Sequence, residues 1–365
     1  TEAHVKEFNP DSDPMFVYEG GSPGIKVKAE ELKQSLVKAL EAENLKSELK
    51  IPVTETQPKT TVEDVKKQTV KLSEYTTYST NTENGTHNMA LSLAAANGTV
   101  LKPGEIFSFN ETTGDTTTGA LGYLPATGIS NNKSVQVYGG GICQSSTTIY
   151  GAALRADMEI VTRYNHRWPS SYVPIGQDAT VDYPSTDFQF KNSSDYPVYI
   201  KAYMDGRTLV VQIYGHPSDE WDTIEVESWQ TGVIPPPPTE YIVDESLPEG
   251  TVTWWTDACY GYTAEGEKVF YKNGQEVKRE PIDSSYYMEG AAVYKIGPNT
   301  DPNAPSQNGG GDKPANTSST TPPASSSTAP SSSQPSSTAP PSSSETSSKP
   351  VSSSPSSSEE TPTGG

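Results

Sequence analysis

Cysteine is scarce in this chain of 365 residues: only Cys143 and Cys259 occur, which excludes a small scaffold stapled by many disulfides, although the two could still pair with each other. Histidine is nearly as rare. His4, His87, His166 and His216 are scattered, and no pair of His or Cys has the spacing of metal ligands, so no metal site is expected. Long apolar runs are missing too. No stretch approaches the roughly 18–20 residues that span a membrane, and no charged-then-apolar leader opens the chain. Positive charge is outnumbered, with 26 Lys and Arg against 46 Asp and Glu and a net charge of −20, which argues against a nucleic-acid partner. The opening residues, TEAHVKEFNPDSDPMF, read as the middle of something. An extracytoplasmic part of a longer protein is expected, with a membrane anchor in a preceding N-terminal segment.

Four regions follow from shifts of composition. Residues 1–75 read as the end of a small α+β unit plus a connector: MFVYEGG as a strand, and 29–43 as a helix with Leu32, Leu36, Val37 and Leu40 at helical spacing. Further on, Thr61 and Asp64 have capping-box spacing. Residues 76–218 read as a compact domain. Its helix MALSLAAANG closes at Asn97 and Gly98, and MEIVTRY, DATVDY, DFQFKN, PVYIKAYM and TLVVQIYG follow as strands, with a hairpin turn at Asp205 and Gly206. Residues 219–298 read as an elongated all-β module with a second hairpin mark at Asn273 and Gly274. Residues 299–365 are so rich in Ser, Pro and Thr that disorder is expected, because too little apolar surface is available to offset the entropy of ordering. The fold class is α+β, with a Cys-bearing helix in the β-rich second domain.

The chemistry concentrates in GGGICQSSTTIYGAALRADM, residues 139–158. Gly139, Gly140 and Gly141 let the backbone turn sharply and approach a ligand, and a helix pattern begins just beyond Cys143. A helix N-terminus favours a thiolate through its unpaired N–H groups and dipole, so Cys143 is the expected nucleophile. The segment lacks the Gly-Lys-Ser/Thr ending of a phosphate loop. A buried structural cysteine, or half of a Cys143–Cys259 disulfide, is the competing reading. His166, on the turn-rich TRYNHRWPSSYVPIGQDATV, is the expected general base and acid, with Asp178, Asp182 or a backbone carbonyl to orient it. Backbone N–H groups around Gly141 to Cys143, helped by Ser145, would form an oxyanion hole, and Gly140 would also line the substrate site. Ser145 and Ser146 also suit a helix start. Arg163 and Arg167 flank His166 and would hold a substrate carboxylate, or lie on the surface.

In chain order, NMALSLAAANGTVLKPGEIFSFN, GYLPATGI, GGGICQSSTTIYGAAL, TRYNHRWPSSYVPIGQDATV and FKNSSDYPVYI resemble the VanW domain over about 76–215. LPEGTVTW, CYGYTAEGEKVFYKNGQEV and GAAVYKIGP resemble a G5 domain, and the first 75 residues resemble the end of a peptidoglycan-binding module. The resemblance implies a Gram-positive cell-envelope protein, and through the clostridial members an L,D-transpeptidase with Cys143 as the family's cysteine and His166 as its histidine. Peptidoglycan stem peptides would be the substrate, with L,D-carboxypeptidase activity on the side and no cofactor. The alternative is a non-catalytic wall-binding or adhesion protein in which G5 grips glycan, with Trp254, Trp255 and Tyr262 stacking on sugars or buried in the β module. The sequence departs from the VanW pattern where an arginine commonly precedes the Asn: Gly85 and Thr86 stand in that neighbourhood.

Overall fold

The computed structural model describes residues 1–43, 48–130 and 133–302. The expected disordered tail, from residue 303 onward, lies outside the described residues. The chain is α+β and β-rich. Its central sheet runs in the order Val70–Tyr78, Thr208–Gly215, Val198–Asp205, Val100–Leu101, all neighbours antiparallel. Strand Val70–Tyr78 runs across the boundary expected at residue 75, because its alternating pattern buries Ser73 and Thr77 towards the Cys143 helix.

Helix Cys143–Arg155 is the centre of this domain. Every residue from Gln144 to Leu154 is buried, which the mixture of Ala, Gly, Ser and Thr permits because small side chains let neighbouring backbone come close. Gly151 packs so near the Tyr75 ring that an added Cβ would sit 2.2 Å from it. Hydroxyls on this buried helix bond across to its surroundings: Thr148 to Thr77 at 2.8 Å, Ser146 to the Ala179 carbonyl at 2.6 Å, and Ser145 to Ser92 at 2.9 Å. The hydroxyls of these residues are thereby satisfied where water cannot reach, whereas the buried Tyr150 hydroxyl on the same helix meets no hydrogen-bond partner among the described residues. Helix Glu83–Ala96 packs alongside and starts earlier than the apolar run MALSLAAANG, since Thr82 caps it by accepting from the Gly85 N–H at 3.2 Å. Gly98, at φ +87°, supplies the left-handed turn that ends it.

One strand expectation fails. DATVDY, 178–183, forms no strand beyond an isolated bridge between Asp182 and Thr186. Its backbone bonds instead to side chains of the Cys143 helix, the Ala179 carbonyl accepting from Ser146 and Thr147 and the Ala179 N–H donating to Thr147 at 3.0 Å. Backbone groups satisfied in this way have no need of a sheet partner.

The N-terminal region keeps its expected elements. Thr61 and Asp64 form a capping box, and helix Ala29–Glu41 leaves Leu36, Val37 and Leu40 exposed, with none of its residues buried. Hairpin His4–Phe8 with Phe16–Glu19 packs on the central sheet through Phe16 against Tyr199, ring centroids 5.1 Å apart. In the C-terminal region strand Thr223–Ile234 pairs along its length with Gly261–Lys272, which turns at Asn273 and Gly274 into Gln275–Pro281 and also pairs with Ser285–Tyr287. A second sheet joins Glu240–Val243 in parallel and Val252–Thr256 antiparallel to Val293–Ile296. Val226 belongs to the same apolar cluster as the Cys143 helix, so the two domains share a core.

Candidate active site

Three glycines shape the entry to the Cys143 helix. Gly139 and Gly141 take φ of +70° and +104°, and a Cβ on Gly140 would lie 2.5 Å from the Ala126 carbonyl oxygen. Only glycine fits this turn. Buried Asn88 pins it, donating to the carbonyls of Gly140 at 3.0 Å and Leu124 at 2.8 Å. The Gly140 N–H is spent on the Val137 carbonyl, and those of Ile142 and Gln144 on Gly139 and Gly141. Among the described residues no hydrogen-bond acceptor meets the N–H of Gly141 or Cys143. No side chain caps the helix, so its positive end faces the thiol.

Around the sulfur, Cys143 Sγ lies 3.4 Å from both Thr180 Oγ1 and the Val181 carbonyl oxygen, and within hydrogen-bonding reach of His166. The imidazole is held from behind. Its Nδ1 is 2.6 Å from Asp178 Oδ2, which also accepts the His166 backbone N–H at 2.7 Å, and Ser170 Oγ lies 3.1 Å from the same ring nitrogen. That leaves Nε2 to serve the thiol. Asp178 is buried at 1% side-chain exposure while His166 keeps 20%, so the imidazole retains access to solvent and the carboxylate does not.

Electrostatics follow from this geometry. Burial pushes the Cys143 thiol up, but the hydrogen bond and charge of His166, with help from Thr180 and Val181, bring it below its ordinary value. Burial alone would lower His166. Hydrogen bonds to Asp178 and Cys143 outweigh it and raise the imidazole well above its usual range. Burial likewise raises Asp178, and its bonds to His166 and Tyr287 more than compensate, so it stays ionised. The arrangement favours a thiolate–imidazolium pair oriented by a carboxylate. Cys143 and Cys259 are both free thiols.

The structure brings Cys143, His166 and Asp178 together and places other expected residues elsewhere. Asp182 is exposed in its bridge with Thr186, away from the imidazole. Arg163 is not poised for a substrate carboxylate. Its side chain is 1% exposed, with Nε donating to the Asp178 carbonyl at 2.7 Å and the terminal nitrogens reaching Ser285 Oγ, the Gly176 carbonyl and Asp178 Oδ1. Ser145 is turned from the sulfur towards Ser92 and the Met89 carbonyl, so it adds no donor to an oxyanion site. Gly140 contributes shape rather than a donor. Arg167 is exposed, its guanidinium 5.8 Å from the Trp168 ring centroid. Beside Gly85 and Thr86 a guanidinium does arrive, from Arg207, which donates to the Asn81 carbonyl at 2.7 Å and lies 3.4 Å from Thr86 Oγ1.

Sequence reasoning missed Thr180, Ser170, Tyr287 and Tyr172, whose ring centroid stands 6.4 Å from that of His166. Thr180 and Ser170 lie within segments already singled out, but nothing in their spacing says that they face Cys143 and His166. Tyr287 stands 109 positions from Asp178, and no local signal connects them.

Residues 84–214 match the model of the VanW-like protein family, and residues 225–298 that of the G5 domain. The chain is 38% identical over 147 residues to the uncharacterized protein YoaR of Bacillus subtilis, covering 40% of this chain and 48% of that one. It is 28% identical over 141 residues to the vancomycin B-type resistance protein VanW of Enterococcus faecalis, covering 36% and 50%. It thus spans about half the length of these curated relatives. Among solved structures, the G5 domain of IgA1 protease aligns at 24% identity and TM-score 0.16 over 20% of this chain and 86% of its own. The G5 domain of HP0197 aligns at 13% and 0.12, over 20% and 97%. A VanW-like domain followed by a G5 domain supports association with the cell wall.

Proposed function

We propose that this protein is a cysteine acyltransferase of the cell wall, an L,D-transpeptidase that forms 3–3 cross-links between peptidoglycan stems. The observation that carries the proposal is the Cys143–His166–Asp178 relay at an uncapped helix N-terminus. The resemblance of the Cys143 and His166 segments to VanW-type transpeptidases supplies the substrate class.

In this reading the Cys143 thiolate attacks the carbonyl between the third and fourth residues of a donor tetrapeptide stem. The oxyanion is met by the free N–H groups of Cys143 and Gly141. His166, as imidazolium, gives its proton to the departing amine of the terminal D-residue as the C–N bond breaks, leaving a thioester. Neutral His166 then takes a proton from the acceptor amine as that amine attacks, and the thiolate leaves to restore the starting pair. Water in place of the amine gives carboxypeptidase activity. Asp178 keeps Nδ1 engaged throughout, so Nε2 is the nitrogen that exchanges protons.

Intact-mass spectrometry after incubation with disaccharide-tetrapeptides tests this. An adduct of stem mass less the terminal residue is expected with the parent protein and not with Cys143→Ala. If neither forms an adduct nor any product while Cys143 remains reduced and reactive, the wall-binding reading replaces catalysis. Trp254 favours that second reading: it is 37% exposed, as a sugar-stacking surface requires, whereas the Trp255 ring carries the Lys295 ammonium 4.0 Å from its centroid.

A further inference from the structure

We infer that the G5 domain is a working part of the active centre, with Tyr287 the positioning residue that holds the Asp178 carboxylate against His166. The inference rests on Cys143 acting as the nucleophile, and it adds a residue from outside the VanW-like domain to that machinery.

The contacts are direct. Tyr287 is fully buried, donates its hydroxyl to Asp178 Oδ1 at 2.5 Å and accepts the Gly176 N–H at 2.8 Å. Asp178 thus divides its oxygens between two domains: Oδ2 takes the His166 backbone and ring, and Oδ1 takes Tyr287, with Arg163 at 3.4 Å. Arg163 is itself anchored on the G5 side by Ser285 Oγ at 2.8 Å. On either side of Tyr287 the backbone is tied to the histidine loop. Asn165 Nδ2 donates to the Tyr286 carbonyl at 2.8 Å, and the Met288 N–H donates to the Arg167 carbonyl at 3.0 Å.

The loop needs this support. Residues 163–180 contain neither helix nor strand, so no ladder of their own holds His166 and Asp178 in register. Strand Ser285–Tyr287 is held by the long G5 strand Gly261–Lys272, and it provides a rigid edge that the loop lacks. A carboxylate held from both sides keeps one orientation, and orientation is what a relay carboxylate contributes. Burial and the neighbouring Asp178 charge raise the Tyr287 phenol, so it remains a donor throughout the range in which the enzyme would work. The other ionisable groups facing Asp178 are His166, Arg163, Tyr150 and Tyr172, all within the VanW-like domain.

The test is the pH profile of iodoacetamide alkylation in the full chain, read by mass spectrometry on the Cys143 peptide so that Cys259 does not contribute. With Tyr287→Phe the inflection is expected to rise by about half a pH unit, slowing alkylation at neutral pH roughly threefold. Tyr286→Phe is the control. Its exposed side chain bonds to Glu289, and its profile should match the parent. A Tyr287→Phe profile that superimposes on the parent overturns the inference even if the variant melts lower, because that is the result of a contact that only stabilises. Should Tyr287→Phe fail to fold, Ser285→Ala is measured in its place: a smaller upward shift supports the inference and an unchanged profile overturns it. Alkylation needs no peptidoglycan. A parent that acylates no stem but shows the Tyr287-dependent profile overturns the transferase reading alone, and stem transfer with a profile blind to Tyr287 overturns this inference alone.

Discussion

At the scale of single residues, replacing His166 by alanine removes the interactions that hold the Cys143 thiol down and leaves the burial that pushes it up. The alkylation inflection should move up by at least one unit, slowing the reaction near neutral pH by ~10-fold or more. The parent should show a window. Thiolate appears as pH rises through the lowered Cys143 value, and the imidazolium that protonates the leaving amine disappears as pH rises through the raised His166 value. Transfer should therefore be bell-shaped in pH between these limits, as a rate profile would read. Cys143 and His166 were singled out in the sequence because each is a rare residue type, one behind a glycine run and the other on a turn-rich segment. Arg163 was misread because a cation beside a histidine looks the same in sequence whether it points outward to substrate or inward to a buried carboxylate.

At the scale of elements, the glycine turn and the helix after it behave as one device. Gly140→Ala would drive a Cβ to within 2.5 Å of the Ala126 carbonyl oxygen and 2.9 Å of that of Thr127, and backbone cannot step aside as a flexible side chain can. Loss of about 1–3 kcal/mol in urea unfolding is expected, together with slower Cys143 alkylation as the helix entry shifts. The helix was readable from the helical spacing that begins just beyond the glycines. DATVDY was not, because its apolar alternation reflects packing on the Cys143 helix through side-chain hydroxyls rather than pairing in a sheet. Alternation reports which face is buried, and here it could not report what buries it.

At the scale of the whole molecule, the two domains meet through polar bonds as well as through the apolar core they share. Gln177, buried in the VanW-like domain, donates to the Val226 carbonyl at 3.1 Å and Ser228 Oγ at 3.0 Å in the G5 domain. Gln177→Ala should cost about 1–3 kcal/mol by leaving the buried Val226 carbonyl and the half-buried Ser228 hydroxyl short of a donor, measurable by calorimetry on the full chain. Lys268 of the G5 domain also pairs with Asp157, next to the end of the Cys143 helix. What the sequence determined by itself was local or compositional: the helix behind the glycines, the hairpin turns at Asp205–Gly206 and Asn273–Gly274, and the two domains in order. Each depends on residues near one another in the chain or on motifs that recur as a unit. Only the tertiary structure decided that Asp178 rather than Asp182 faces the imidazole, that Arg163 is spent inside, and that Tyr287 reaches Asp178 from another domain. Those choices turn on how irregular loops settle against distant strands, and periodicity and spacing carry no record of such contacts.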